Sequence, residues 1–538
     1  MQAYGLSCKG GLNTNLNQFE MLQQPGFATE LMNFEVDPDG GYRRINGYTL
    51  FGGGSAARPN SSNGILGLFV YADGVIACSG TNIYFSLDGI TWLQINRSSV
   101  SSSGDNYSTF TGRSTAARTS QGQATFALYE GNTAYGEVVI TDKGSGVKPA
   151  LFKMTGTGAL ADRTFFYEEI TVSGTVYPKY CVMHDKHLVV AGAATALNTI
   201  YYSGTSDIND FTATGSGSIV LDDQVVGLKS FRGDLIIFCK NSIYKLSDIN
   251  ISASIAITPI TKNVGCLDGH SIQEIGGDLL FLSPDGFRLV AGTARIGDVE
   301  LSSVSRNIQS VVSTLAASID SYVVTSAVLR SKSQYRLFYS STSEATATSE
   351  GIIGTITPEG FEWSQTKGIK AHGLTSGFDN DSIEKIYHGD TEGYVYNHNT
   401  GNDFNPAGTQ TNINARYKTP NLDFGDAGTL KSLHYTKISF TPEGTIQPTL
   451  QISYDYDDTN RPQPPLYTLD SIPTPAVFGD STTGVFGTSV FGASQDPMAR
   501  QAVQGSGHNI AFKIYSQDTK APYSINGFYV DYRPSGRR

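Results

Sequence analysis

Short apolar runs separated by tight polar turns dominate the chain. The clearest example begins at Phe231, where the turn Arg232-Gly-Asp234 leads into the apolar run 235–238. A second polar turn, Lys240-Asn-Ser242, returns the chain into the apolar run 243–246. Gly and Asn tolerate the positive φ of tight hairpin turns, and the flanking β-branched and aromatic residues suit a half-buried strand. The pattern therefore predicts a β-hairpin.

The hairpin recurs at intervals that are typical of a propeller. Copies begin near residues 73, 186, 233 and 277, and a divergent copy begins near 334. Blades of β-propellers repeat about every 40–50 residues, and each blade is covered by its neighbours. The sequence therefore predicts an all-β fold with a β-propeller of about six to eight blades over residues 65–400. Between 73 and 186 there is room for one more blade with an irregular insertion at about 98–175.

The two ends of the chain lack this rhythm. Residues 1–64 are predicted to pack on the propeller or on a platform domain. Longer alternating runs after residue 400 predict an antiparallel β-sandwich platform over 401–538. Within it, residues 457–507 are rich in Pro, Gly and Thr and predict a long projecting loop or hairpin. A segment of this length without a core of its own is usually functional.

One helical pattern interrupts the strands. Apolar residues recur on one helical face at Val304, Ile308, Val311, Val312, Leu315 and Ile319. This spacing predicts an amphipathic helix beside a blade, capped by Ser302 or Ser303.

Composition narrows the function. The formal net charge is −11, which disfavours a protein that grips nucleic acid through Lys and Arg but allows DNA to pass an acidic wall. The odd number of cysteines and the lack of a CxxC motif predict buried free thiols in a reducing compartment; they are Cys8, Cys78, Cys181, Cys239 and Cys266. No signal-like or transmembrane-length apolar segment is visible, so we expect synthesis in the cytoplasm and no membrane insertion.

Two motifs with functional associations are more typical of turns. The stretch Ser86-Leu-Asp-Gly-Ile-Thr-Trp92 is close to the Asp-box of sialidase-like propellers, one residue short between Asp88 and Gly89. That box is a structural turn even in active enzymes. The tripeptide Arg232-Gly-Asp234 matches an integrin-recognition motif but occupies a hairpin turn.

Candidate ligand sites are weak. His184 and His187 have a metal-like spacing without an apparent third ligand. A calcium site at Asp455, Asp457 and Asp458 lacks the Gly and bidentate Glu of a dedicated loop.

Arg43 and Arg44 allow two interpretations: contact with an anionic partner, or the favoured one, a strand edge with solvated charges. The sequence contains no nucleotide-binding loop, no nucleophile elbow and no convincing carboxylate pair. We therefore expect no catalytic residues, no cofactor and no metal, and a protein that is not an enzyme.

Several ordered motifs resemble one family. The stretch 263–287 resembles the tail nozzle or hub proteins of short-tailed bacteriophages, also called packaged-DNA stabilisation or tail tubular proteins. Further motifs similar to that family lie, in order, at 10–14, 44–48, 335–339, 386–396, 417–424 and 525–532. The resemblance spans nearly the whole chain except 98–175 and 457–507.

The resemblance implies a structural virion protein of the tail. Such a protein forms a homo-oligomeric ring, a hexamer by the family pattern, beneath the portal and its adaptor (head-to-tail connector) protein. The ring continues the channel, retains packaged double-stranded DNA without tight binding, conducts it on ejection, and anchors tail fibres or a needle. The family has no catalytic residues to transfer. Alternatives are a glycan-cleaving, sialidase-like propeller of a virion, or a receptor-binding tail protein.

The projecting segment carries the site prediction. Phe478, Phe486 and Phe491 are each followed by glycine. They are expected to form either a channel constriction or an arm that grips the adaptor.

Overall fold

The structure is a computed structural model, and it describes residues 2–96, 122–131, 134–144, 146–250, 254–290, 303–460, 463–472 and 498–537. Strands dominate it, as the sequence predicts. Within these ranges, no helix is long and apolar enough to cross a membrane.

The N-terminal segment supplies strands to both halves of the molecule. Its elements are β1 (Gln2–Ser7), α1 (Gln18–Gln23), β2 (Glu30–Met32), β3 (Phe34–Val36), β4 (Tyr42–Arg44) and β5 (Tyr48–Leu50). Helix α1 begins at a capping box, because the Asn17 side chain accepts from the backbone N–H of Glu20 while the Glu20 carboxylate accepts from the N–H of Asn17.

The propeller sheets follow in chain order. Their strands are β6 (Ile65–Tyr71), β7 (Gly74–Ser79), β8 (Asn82–Ser86), β9 (Leu93–Gln94), β10 (Ala124–Tyr129), β11 (Glu137–Asp142), β12 (Ala150–Thr155), β13 (Thr164–Glu169), β14 (Tyr180–His184), β15 (His187–Ala193), β16 (Ala196–Tyr202), β17 (Gly217–Val220), β18 (Val225–Phe231), β19 (Asp234–Cys239), β20 (Ile243–Ser247), β21 (Ala256–Thr261), β22 (Gln273–Ile275), β23 (Asp278–Ser283), β24 (Gly286–Leu289), β25 (Val323–Leu329), β26 (Gln334–Ser340), β27 (Glu350–Thr357), β28 (Gly360–Lys367), β29 (Gly373–Phe378), β30 (Glu384–Gly389) and β31 (Val395–His398). Helix α2 (Gln309–Ala317) separates β24 from β25.

These sheets form a ring. In the described part of the chain, six blades have four strands each, and the three-stranded sheet β22–β24 stands between the blades β18–β21 and β25–β28. The last blade, β29–β31, takes its fourth strand from β5, and β29 packs against β6. The N-terminal segment thus completes the blade at which the ring closes.

The recurrent hairpins have the expected turns. Arg232 and Gly233, between β18 and β19, have φ of 52° and 85°. The corresponding pairs, Asp185 with Lys186 and Gly276 with Gly277, also have positive φ at both positions. Two positive φ angles twist a hairpin in the sense of its strands. The hairpin prediction is confirmed.

The platform follows the propeller. Its strands are β32 (Ile413–Lys418), β33 (Thr429–Pro442), β34 (Thr449–Tyr454), β35 (Tyr467–Thr468), β36 (Met498–Ala502), β37 (Ser506–Gly507), β38 (Ile510–Asp518) and β39 (Tyr523–Arg537). One sheet is built on β39 and β33, flanked by β1, β4 and β36. The facing sheet contains β32, β38 and β34. Phe512 and Phe528 stack across the two sheets with ring centroids 5.4 Å apart.

Propeller and platform share a sheet. Strand β2 pairs with blade strand β28 on one side and platform strand β32 on the other. The blade β25–β28 and the platform sheet thereby become one nine-stranded sheet. The two domains are joined by continuous backbone hydrogen bonding.

Two expectations differ in detail from the structure. Residues 124–169, within the stretch expected to be irregular, form a regular blade. Val138 and Val139 are both fully buried, one against each neighbouring core, so both strand faces are apolar and no alternation marks the strand. Helix α2 lies inside the predicted helix, but Ser303 bonds to Ser305 rather than capping it.

Candidate functional site at the propeller axis

A cavity of about 300 Å³ runs along the propeller axis. It is lined by the innermost strand of each blade and by residues 269–273. Small residues narrow one end: a Cβ on Gly67 would lie 2.7 Å from the Ala124 Cβ, and one on Gly227 would lie 2.4 Å from the Ile272 Cδ1. The cavity therefore tapers where the inner strands begin.

Polar contacts across the axis tie the blades together at this narrow end. The Gln123 side-chain amide donates to the Val324 carbonyl at 2.5 Å, and Lys143 pairs with Asp268 at 2.9 Å. His270 lies 3.2 Å from the Asp268 carboxylate. Burial alone would raise the pKa of Asp268, but Lys143 and His270 hold it well below its usual range. The charges at the narrow end are thus mutually satisfied.

Two cationic side chains lie at the wider end, and they differ in whether they have a charged partner. Arg330 is held by Glu384 at 3.8 Å and stacks over the Phe378 ring. Lys229, half-buried on β18, has no hydrogen bond or ion pair with any residue in the described ranges. Burial lowers the pKa of Lys229, Glu274 opposes that shift, and Arg330 adds to it.

His372 adds a neutral polar group to the wall. Its Nε2 lies 3.0 Å from the Ser340 hydroxyl. Burial, assisted by Lys370, lowers the pKa of His372 to about 4. The ring is therefore uncharged near neutral pH and contributes hydrogen bonding only.

A second cluster of charges sits between propeller and platform. The Glu35 carboxylate, on β3, accepts from Arg43, Lys332 and Arg336, each at 2.7 Å. Burial alone would raise the pKa of Glu35, but the three cations lower it to about 2. Arg43 also bonds Glu443 of the platform. This junction cluster links three parts of the chain.

The favoured interpretation of Arg43 and Arg44 as solvated edge charges is wrong. Strand β4 is paired on both sides, by β3 and β39. The Arg44 side chain is 0% exposed and donates to the carbonyls of Asp518 and Lys520. Arg44 was not recognisable as structural from sequence, because its partners lie more than 470 residues away, and Arg43 is fixed partly by Glu443, 400 residues away.

The two motifs with functional associations are turns. In the near Asp-box, the Asp88 carboxylate accepts from the N–H groups of Ile90 and Thr91, both at 2.9 Å. Arg232 donates to the Gly277 carbonyl of the neighbouring sheet. Asp234 accepts from Lys245 at 3.0 Å. Each motif closes a connection between strands.

The candidate metal residues have other partners. His184 Nδ1 contacts the Ser230 hydroxyl at 2.9 Å, whereas His187 Nδ1 contacts the Ser203 carbonyl at 2.6 Å. The two rings therefore serve different neighbours.

The three aspartates also diverge. Asp455 accepts from the N–H of Asn509 at 3.0 Å, and Asp458 accepts from that of Asn460 at 2.9 Å. Asp457 pairs with Lys513 at 3.2 Å. Each carboxylate fastens a different part of the platform.

The predicted site in the projecting segment lies outside the described residues. Phe478, Phe486 and Phe491 all fall between Ile472 and Met498. The ends of that segment are anchored, because Ile472 bridges to Ile446 and β36 pairs with β33. The five cysteines are buried and free, as predicted.

The axial cavity was missed by the sequence reasoning. Lys229 stands in an otherwise ordinary strand pattern, and its only signal is a charge among the apolar residues of a first blade strand. The charge of Lys229 could be connected with a cavity only after the ring had placed β18 at the propeller axis.

No protein-family model matches the chain, and no curated protein matches it. Solved structures with a similar arrangement include an ancestral GH74 enzyme (9% identity, TM-score 0.35, 72% of this chain and 51% of that chain). Another is an exo-β-1,3-galactanase from Phanerochaete chrysosporium (10% identity, TM-score 0.26, 93% and 100%). A third is the extracellular domain of a putative one-component system from B. thetaiotaomicron (10% identity, TM-score 0.36, 65% and 40%).

At this level of similarity the neighbours concern general architecture. The chain matches about half or less of the GH74 enzyme and of the sensor domain. Two of these neighbours are glycoside hydrolases, and the expectation that the chain is not an enzyme is withdrawn. That expectation rested on the lack of a motif, and glycosidase carboxylates are brought together by the fold without one.

Proposed function

We propose that the chain is a structural protein of a short-tailed phage, a tail nozzle or hub protomer that forms a ring continuing the portal–adaptor channel. The observation that carries this proposal is the continuous nine-stranded sheet through propeller and platform. It supports the ordered resemblance, because a ring that holds packaged DNA needs domains that do not hinge apart. The N-terminal segment supplies strands to both domains and so also holds them together.

The axial cavity of a single chain is too small to be the DNA passage of such a ring. Its volume of about 300 Å³ suits a small molecule, and Gln123, which lines it, donates to the Val324 carbonyl of another blade. The duplex must therefore pass between protomers, through the centre of the ring. The net charge of −11 suits a passage that repels DNA.

Electron microscopy of the purified protein, alone and with portal–adaptor complexes, tests the proposal. We expect rings with a central hole that dock beneath the adaptor. A protein that stays monomeric and ignores the adaptor at high concentration would contradict it. Tight, salt-sensitive binding of duplex DNA would contradict the conduit role.

The projecting segment needs its own experiment. Strands β35, β36 and β37 belong to the platform sheets, so a deletion should be confined to residues 473–497. Particles that assemble but leak DNA would identify a constriction that includes Phe478, Phe486 and Phe491. Rings that fail to join the adaptor would identify an arm. Particles that assemble, retain DNA and infect normally would exclude both roles.

A glycan-cleaving or receptor-binding propeller is the second candidate. The polar axial cavity favours it, because the cavity that contains Lys229 is of a size that accepts one sugar ring, and Arg330 lies between it and the neighbouring pocket that contains Glu274. Host envelope polysaccharide incubated with the protein should then be shortened, and Glu274→Gln should abolish the cleavage while the exposed Glu359→Gln does not. Binding of the monomer to host cells without cleavage would instead identify a receptor-binding protein.

A further inference from the structure

We propose that the axial cavity is a binding site for a small oxyanion, a carboxylate or phosphate group, held by the ammonium of Lys229 with Arg330 at the opening. The inference concerns the propeller of a single chain. It holds whether the protein is a nozzle or a glycan-active propeller.

The first argument is the unsatisfied charge of Lys229. The side chain enters the cavity half-buried, and nothing in the described ranges accepts a hydrogen bond from it. Placing a cation in a confined, partly desolvated site costs free energy unless an anion or ordered water accepts its protons. An oxyanion supplies the missing acceptors and the opposite charge.

The second argument is the balance of charges that face the cavity. Lys143 and His270 are paired with Asp268, and His372 is neutral. Arg330 pairs with Glu384 at 3.8 Å and stacks over the Phe378 ring, and it also lines the cavity. The exposed Glu274 lines a neighbouring pocket together with Arg330 and is an anion whose charge acts on Lys229, so a bound oxyanion adds to this partial compensation.

The third argument is the shape of the site. The narrow end is closed by small residues and cross-axis hydrogen bonds, so a ligand enters from the side of Lys229 and Arg330. The hydroxyls of Ser326 and Ser376 on this wall already donate to the carbonyls of His270 and Val328, so Lys229 and Arg330 are the donors left for an oxyanion. A volume of about 300 Å³ is at the lower end of ligand pockets and fits a monosaccharide or a phosphate.

Titration of the full chain tests the site. Inorganic phosphate and glucuronate are added separately to the wild type, to Lys229→Met and to the control Lys262→Met, with calorimetry as the readout. Lys262 is exposed and lies away from the cavity. We expect at least one probe to bind the wild type and the control equally, and to bind Lys229→Met at least tenfold more weakly.

The two probes distinguish the source of the oxyanion. Saturation by phosphate alone indicates a phosphate ligand, and saturation by glucuronate alone indicates an acidic sugar. Absence of binding by both, or equal affinity of Lys229→Met and wild type, would overturn the proposal.

A second measurement avoids dependence on the folding of the variant. Mass spectrometry of wild-type protein treated with an acylating reagent should show that the bound probe protects Lys229 and leaves Lys262 reactive. Equal modification of Lys229 with and without the probe would also overturn the site.

Discussion

The carboxylate of Glu35 accepts a hydrogen bond from the guanidinium of Arg336 at 2.7 Å, and the two side chains are 2% and 1% exposed. Glu35 belongs to the N-terminal segment, and Arg336 to a propeller blade 301 residues later. Through Arg43 the same carboxylate is connected to Glu443 of the platform. The buried Glu35 carboxylate thus connects the N-terminal segment, the propeller and the platform.

Replacing that anion should destabilise the protein strongly. Glu35→Gln leaves the buried Arg336 and the partly buried Lys332 without this counter-charge, and breaking a buried ion pair from one side costs about 3–5 kcal/mol. Urea denaturation measures the loss. The matched control is Glu350→Gln, whose exposed pair with Lys367 at 3.5 Å should be worth less than about 1 kcal/mol. Equal losses for both variants would show that the junction is not energetically special.

Buried neutral histidines should make stability depend on pH. Burial lowers the pKa of His372 to about 4 and that of His388 to about 3, whereas both rings have ordinary values near 6.5 when unfolded. Between those limits the unfolded chain binds more protons, so stability is complete above about pH 6.5 and falls as the pH drops through the folded values.

A histidine replacement isolates one contribution. His372→Asn should reduce the slope of unfolding free energy against pH by up to about 1.4 kcal/mol per pH unit between about pH 6.5 and 4. The exposed His434→Asn is the control. Urea midpoints measured across that window provide the readout, and parallel pH profiles for His372→Asn and the wild type would refute the assignment.

Replacing Gly233 by a β-branched residue should destabilise the protein at this hairpin turn. Its φ is 85°, and a Cβ there would meet nothing within 4 Å, so the cost is conformational rather than steric. Gly233→Val should lower the free energy of unfolding by about 1–3 kcal/mol. Gly54→Val is the control, because Gly54 is equally open but lacks the positive φ. Identical melting of Gly233→Val and wild type would contradict the argument.

Closure of the ring should depend on Tyr48. This residue lies on β5, is 1% exposed, and packs its ring against His388, Tyr396 and Phe404 with centroids 4.8–5.2 Å apart. Tyr48→Ala should cost about 3–5 kcal/mol, as for other large aromatic truncations. Hydrogen exchange should show the loosening first in β29–β31. Tyr529→Ala, on the half-exposed outer face of the platform, should have little effect, and exchange that is unchanged in the closing blade would refute the role of Tyr48.

The local structure of the propeller is specified by short-range patterns in the sequence. Turn residues such as Arg232 and Gly233, between runs of apolar residues, specify a hairpin because its backbone angles and register depend on neighbours in the chain. Repetition of that hairpin then indicated the propeller, since a blade cannot bury its faces alone. The buried free cysteines followed from the same local reasoning.

The connections between the domains, and the position of the unpaired charge of Lys229, became visible only in the three-dimensional fold. The pairing of β5 with β31, and of β2 with both domains, connects residues more than 300 positions apart, and no local pattern encodes such a partner. For the same reason Arg44 looked like a surface charge and proved to be buried. Lys229 became a candidate ligand group only when the ring placed its strand at the axis, because the free energy of a charge depends on its surroundings in three dimensions.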